Sequence, residues 1–90
     1  MRKQFEKFLI FKGYKMTTPA RHPSTIPQYI NSVDLVCKIE HCSWLQLAEN
    51  IDDIIKQYDV GGIKQDIGAK SHRTVINALK RFKKFVTDLS

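Results

Sequence analysis

Apolar residues return at intervals of three and four along most of this chain, and nowhere do they alternate with polar ones over a useful length. Period-two alternation marks a half-buried strand and a period near 3.6 marks an amphipathic helix, so the pattern predicts helices and no strands. Residues 2 to 12 carry Phe5, Phe8 and Leu9 on one side and Lys3 and Lys7 away from it. Gly13 follows where a left-handed C-terminal cap is wanted. Tyr14 to Pro23, YKMTTPARHP, reads as a basic, proline-bearing loop. A second helix opens with Ser24 or Thr25 as cap and Pro27 in its first turn, where a missing N–H costs nothing. Ile26, Ile30, Val33 and Cys37 form its stripe, with Tyr29 and Val36 flanking. Leu35 and Ile39 fall off that stripe. Either the helix is buried on two sides, or it keeps apolar surface for a partner.

The stretch SWLQ at 43–46 has the spacing of a capping box and opens a short helix from Trp44 to Glu49. Asn50 or Asp52 caps another through Ile54, Ile55 and Tyr58. Asp59 to Ala69, with three of the four glycines, reads as a loop holding at most one helical turn. Ser71 then caps a last helix that runs to about Asp88. At about 100° per residue, Val75, Leu79, Phe82, Val86 and Leu89 share a narrow arc, while Arg73, Asn77, Lys80 and Lys84 share the opposite one. The prediction is a single domain over residues 1–90: an all-α, small orthogonal bundle of four to five helices.

Composition changes this picture little: 42% apolar and 27% charged residues are ordinary globular values. Charge changes it more. A net +6 favours polyanionic partners. The run KSHRTVINALKRFKKFV, Lys70 to Val86, holds six basic side chains and no acid. Ordinary surface helices mix signs. Lys70, His72 and Arg73 also lie at the helix start, where unpaired N–H groups and the dipole favour phosphate. This basic face is the candidate nucleic-acid contact.

Other chemistry finds less support. His22, His41 and His72 have no serine or cysteine at a triad-like spacing, Asp52–Asp53 reads as a helix start, and Gly61–Gly62 lacks the lysine of a phosphate loop. No enzyme activity is expected. Cys37, His41 and Cys42 are zinc-type ligands, but a structural site needs four at tight spacing. Cys37 instead reads as a buried stripe position and Cys42 as a helix-end residue, so no metal or other cofactor is expected. The aromatics fall mostly on apolar stripes and read as core, leaving Tyr14 as the one aromatic free in a loop. The longest N-terminal apolar run is Phe8 to Phe11, too short for a signal or a membrane span. A cytoplasmic protein is expected.

The order of elements resembles the N-terminal core-binding (SAM-like) domain of tyrosine recombinases and phage integrases. The resemblance runs from residue 5 to 86: the FEKFLIFKG helix, then Thr25 and Tyr29 as T-x-x-x-Y. Ser71, Thr74, Ala78, Leu79, Phe82 and Phe85 complete it as S-x-x-T-x-x-x-A-L-x-x-F-x-x-F. It implies a SAM-like fold clamped on one side of double-stranded DNA, with contacts from the second and last helices. The positions that correspond are Thr25 and Gln28 on the second, and Lys70, Ser71, Arg73, Thr74, Asn77 and Lys84 on the last; Lys80 joins them from the basic face alone. Arg73, Asn77 or Gln28 would reach base edges. Two features depart from the family, the ten residues from Tyr14 to Pro23 and the long loop 59–69. The family's catalytic domain has no counterpart in this sequence. The expectation is therefore a non-catalytic module binding double-stranded DNA, with a recombinase catalytic domain or another protein as further partner and no membrane role. The alternative is a helical protein–protein adaptor using Leu35, Ile39 or the loop 59–69.

Overall fold

The computed structural model describes residues 1–14 and 25–89, and for Ser71 and His72 the backbone alone. Within them lie α1 (Arg2–Phe11), α2 (Thr25–Glu40), α3 (Trp44–Glu49), α4 (Ile51–Tyr58), α5 (Gln65–Gly68) and α6 (Lys70–Leu89). The described residues contain no strand. The fold is a small all-α bundle, with α5 as the single turn expected inside the glycine-rich loop.

Local chemistry sets most of the boundaries. Gly13 adopts φ 94° and its N–H donates to the Ile10 carbonyl (3.0 Å) while the Tyr14 N–H donates to Leu9 (3.1 Å). These two bonds close α1 in a Schellman turn that needs a left-handed residue. The capping box of α3 is complete: the Gln46 N–H donates to Ser43 Oγ (3.2 Å) and the Ser43 N–H to Gln46 Oε1 (2.9 Å). Thr25 is the first helical residue of α2, and the Ser24 cap expected before it lies outside the described residues. Two caps differ from expectation. Asn50 stands at the start of α4 without a side-chain cap, its Nδ2 donating back to the Gln46 carbonyl at 3.0 Å instead. Ser71 lies within α6, and its side chain is outside the described set.

Two non-glycine residues take left-handed backbone, His41 (φ 53°) and Arg73 (φ 69°), a conformation that disfavours an L-residue by roughly 1–2 kcal/mol. His41 ends α2, and Arg73 interrupts the first turn of α6. Gly68 is required for a different reason: a Cβ there would stand 1.9 Å from the Tyr58 carbonyl oxygen.

The long helix α6 packs most extensively on α2 and also touches every other helix. Phe5, Phe82 and Phe85 are buried at the centre, the Phe82 ring centroid lying 5.4 Å from those of both Phe5 and Trp44, edge-on. Edge-to-face pairs at this separation add to what area burial alone supplies. Asp34 binds three helices together, accepting from Trp44 Nε1 (2.8 Å) and from Arg2 (3.1 Å). Glu40, at the end of α2, accepts from the Tyr58 hydroxyl at 2.8 Å and from Lys64. The expected α2 stripe, Ile26, Ile30, Val33 and Cys37, is buried throughout. On α6 the core face is broader than the predicted arc and shifted from it. Ile76, Ala78 and Phe85 are buried, Val86 is half-buried, and Leu89 is 57% exposed.

Candidate nucleic-acid interface

The outer face of α6 divides lengthwise. On its α4 side the cations meet carboxylates. Asp59 follows the last turn of α4, where its Oδ1 accepts from the Val60 N–H at 2.8 Å. That bond is the main reason its carboxyl is held below the usual range, with Lys80 and Arg73 adding to it. Lys80 Nζ lies 3.4 Å from its Oδ2 and Arg73 Nη2 3.8 Å from its Oδ1. Lys83 pairs with Asp52 in the first turn of α4 at 2.7 Å, and this bond holds the Asp52 carboxyl low. Along this edge the sequence's unbroken basic run is balanced by acids brought from another helix.

The opposite edge of α6 faces α2 and α1, and there the balance ends. Lys70, Thr74 and Val75 form one wall of a groove of about 280 Å³ whose other wall is Gln28, Asn31, Ser32 and Leu35 of α2. The Ser32 hydroxyl is occupied, donating to the Gln28 carbonyl at 2.8 Å. The groove lining holds one ammonium group, from Lys70, and no carboxylate, a setting suited to phosphate oxygens. Asn77 is exposed further along the helix, and Arg81 and Lys84 follow. Among the described residues Lys70, Arg81 and Lys84 make no ion pair with a carboxylate.

Of the residues expected to touch DNA, Gln28, Lys70 and Thr74 are brought into one groove. Asn77 and Lys84 continue along the same helix. Arg73 and Lys80 are instead engaged by Asp59, and Thr25 does not line that groove. The side chain of Ser71 lies outside the described residues. Sequence reasoning missed Asn31 and Arg81, although Asn31 stands three residues beyond Gln28 and Arg81 seven beyond Thr74, both spacings that return to one helical face. Leu35, assigned to a protein partner, lines this same groove and is 36% exposed.

Tyr14 is not free. Its ring packs 5.7 Å from that of Tyr29, and the Arg81 guanidinium stands 5.9 Å over it. Burial, and then Tyr14, push the Tyr29 hydroxyl above its ordinary value against the opposing pull of Arg81. Cys37 is buried as expected. Desolvation, followed by the neighbouring Cys42 thiol, pushes its own thiol up to about 12, which keeps it protonated and apolar in character. No helix among the described residues is long and apolar enough to cross a membrane. No protein-family model, curated protein or solved structure matches the chain.

Proposed function

We propose that this chain is a non-catalytic DNA-binding module, of the kind that forms the core-binding domain of tyrosine recombinases, and that it grips the backbone of double-stranded DNA through the outer face of α6. The observation that carries the reading is the edge of α6 running from Lys70 to Lys84, acid-free and bearing cations without a carboxylate partner among the described residues. Thr74 to Lys84 covers about 15 Å of helix at 1.5 Å per residue. That is the axial length of roughly four to five phosphates of one strand. Gln28 and Asn77 supply amides for base edges or further phosphates. A recombinase catalytic domain would be a natural companion on the far side of the duplex.

Fluorescence anisotropy with a labelled duplex at several salt concentrations tests this. Each phosphate neutralised releases counterions, so with about 3–5 contacts the log–log slope is expected near −3 to −4.5. An absent or salt-independent signal removes the reading.

A protein–protein adaptor is the second reading, favoured by Val60 and Ile63, 78% and 86% exposed on the loop before α5. On that reading DNA binding is weak and indifferent to Lys84, whereas Val60→Ser and Ile63→Ser abolish capture of the partner.

A further inference from the structure

The end of α1 and the outer face of α6 enclose a second cleft, of about 240 Å³, lined by Phe8, Lys12, Tyr14, Arg81 and Lys84. The local sequence F-K-G-Y builds half of it. Gly13 turns the chain so that Lys12 and Tyr14 flank the end of α1, and Tyr14 is fixed there by its bond to Leu9 and its packing on Tyr29. From α6, Arg81 and Lys84 are three residues apart and share a face. Two of the cations rest on aromatic rings: Lys12 Nζ lies 5.5 Å over Phe8 and the Arg81 guanidinium 5.9 Å over Tyr14. Aromatic faces attract cations without neutralising them, so the charges are held in place and still available.

The cleft gathers three cations and holds no counter-charge. Arg2, Lys64, Arg73, Lys80 and Lys83 each have a carboxylate within reach. Lys12, Arg81 and Lys84 have none among the described residues, and no acid lines the cleft. Three like charges gathered over an apolar floor repel one another, and an anion entering between them removes that cost. The floor lowers the local polarity and strengthens the attraction.

We infer that the cleft bounded by Phe8, Lys12, Tyr14, Arg81 and Lys84 binds a single phosphate group. Its volume lies below the roughly 300 Å³ at which pockets for whole small molecules begin, so it fits one headgroup of a larger polyanion. Arg81 supplies a planar fork for two phosphate oxygens and the lysines act as point charges. The source of the phosphate rests on the DNA reading above: one strand that leaves the α2–α6 groove at Thr74 passes Asn77 and is anchored again here, with α1 joining the interface.

The test compares the wild type, the double variant Lys12→Gln/Lys84→Gln and Lys70→Gln. All three lysines are exposed, so the fold is retained. Two readouts are taken: salt-dependent anisotropy with a duplex, and melting temperature in inorganic phosphate against chloride at equal ionic strength. Support is a wild type that binds duplex and is stabilised by phosphate, with a double variant that has lost the phosphate effect and whose slope falls in magnitude by about two, more than the roughly 0.9 of Lys84 alone. Lys70→Gln then changes it by at most about one. If the wild type binds duplex, the double variant loses no more than the roughly 0.9 of Lys84 alone and phosphate stabilises neither protein, the cleft proposal is overturned while the DNA reading stands. If the wild type ignores duplex but phosphate raises its melting temperature and not that of the double variant, the cleft stands with a free phosphate compound as its source, and the DNA reading falls. No response in either readout overturns both.

Discussion

Lys80 and Asp59 stand 3.4 Å apart, ammonium to carboxylate, joining the middle of α6 to the residue that follows α4. In the sequence Lys80 belongs to a run without a single acid. In the fold that run is met by Asp59 and Asp52, so a face that reads as uniformly basic is basic along one edge only. A nucleic acid approaching the α4 side would have to displace exposed ion pairs, which are individually weak but already balance the cations there. One approaching the α1–α2 side meets cations with no such partner.

The two lysines that periodicity treats as equivalent are thus expected to differ. Lys84→Ala should lower the magnitude of the salt slope for duplex binding by about 0.9, one contact's worth. Lys80→Ala should lower it by less than half as much, because its charge is already balanced by Asp59. Equal losses in the two variants would show that DNA lies across the middle of the face and that the Asp59 pair is broken on binding.

The helices were legible because each carries its own signal: the four-three-four stripe of α2, the S-x-x-Q box of α3, the glycine after α1. The division of the basic face was not, because it depends on where α4 ends relative to α6, and no local pattern records that. Arg73 shows the limit most plainly. An ideal-helix projection places it beside Lys80 on the outer face, where both cations indeed meet Asp59, but the projection records neither that carboxylate nor the left-handed backbone at Arg73. Leu89 fails for a simpler reason: it is the last residue of α6, one turn beyond the buried Phe85, and it is exposed. Tyr14 reads as a loop residue and is one, yet its neighbours come from α2 and α6, 15 and 67 positions away along the chain.

Phe82 is the side chain on which α1, α3 and α6 converge. Phe82→Ala is expected to cost about 3–5 kcal/mol. A 90-residue domain has roughly 5–13 kcal/mol in total at typical per-residue values. The urea midpoint should therefore fall by about a quarter or more, or the protein should fail to fold. Leu89→Ala, on the same sequence stripe but exposed, should stay within about 0.5 kcal/mol of the wild type. A Phe82→Ala protein as stable as Leu89→Ala contradicts this packing.

Glu40 gives the fold a defined acid sensitivity. Burial acts to raise its carboxyl, but hydrogen bonds from Lys64 and Tyr58 outweigh that and hold it below its ordinary value of 4.5. A group whose folded value is depressed contributes its stability above the unfolded value and loses it as pH falls through the folded one. Glu40→Gln should accordingly lower the melting temperature at pH 7, and the gap from the wild type should close as pH drops below about 4.5. Asp52 and Asp59 are depressed as well, so both proteins lose stability in acid; the diagnostic is the closing gap. A difference constant from pH 7 to pH 3 would mean that the ionised carboxylate is not what the site uses.

His41 ends α2 with φ 53°, and its N–H and that of Cys42 close the helix on the Lys38 and Cys37 carbonyls at 3.4 and 3.0 Å. This is the position where glycine is ordinarily found. An L-residue there is disfavoured by roughly 1–2 kcal/mol, while glycine forgoes about 0.5–1 kcal/mol through its freer unfolded chain. The difference predicts that His41→Gly stabilises the protein by about 0.5–1 kcal/mol. For a domain of this size that is a rise of roughly 2–8 °C in melting temperature. His41→Ala separates backbone from side chain: it removes the imidazole but keeps the Cβ that opposes the turn, so it should give no such rise. If alanine stabilises as much as glycine, the gain comes from losing the exposed imidazole, and the left-handed turn is not a store of strain.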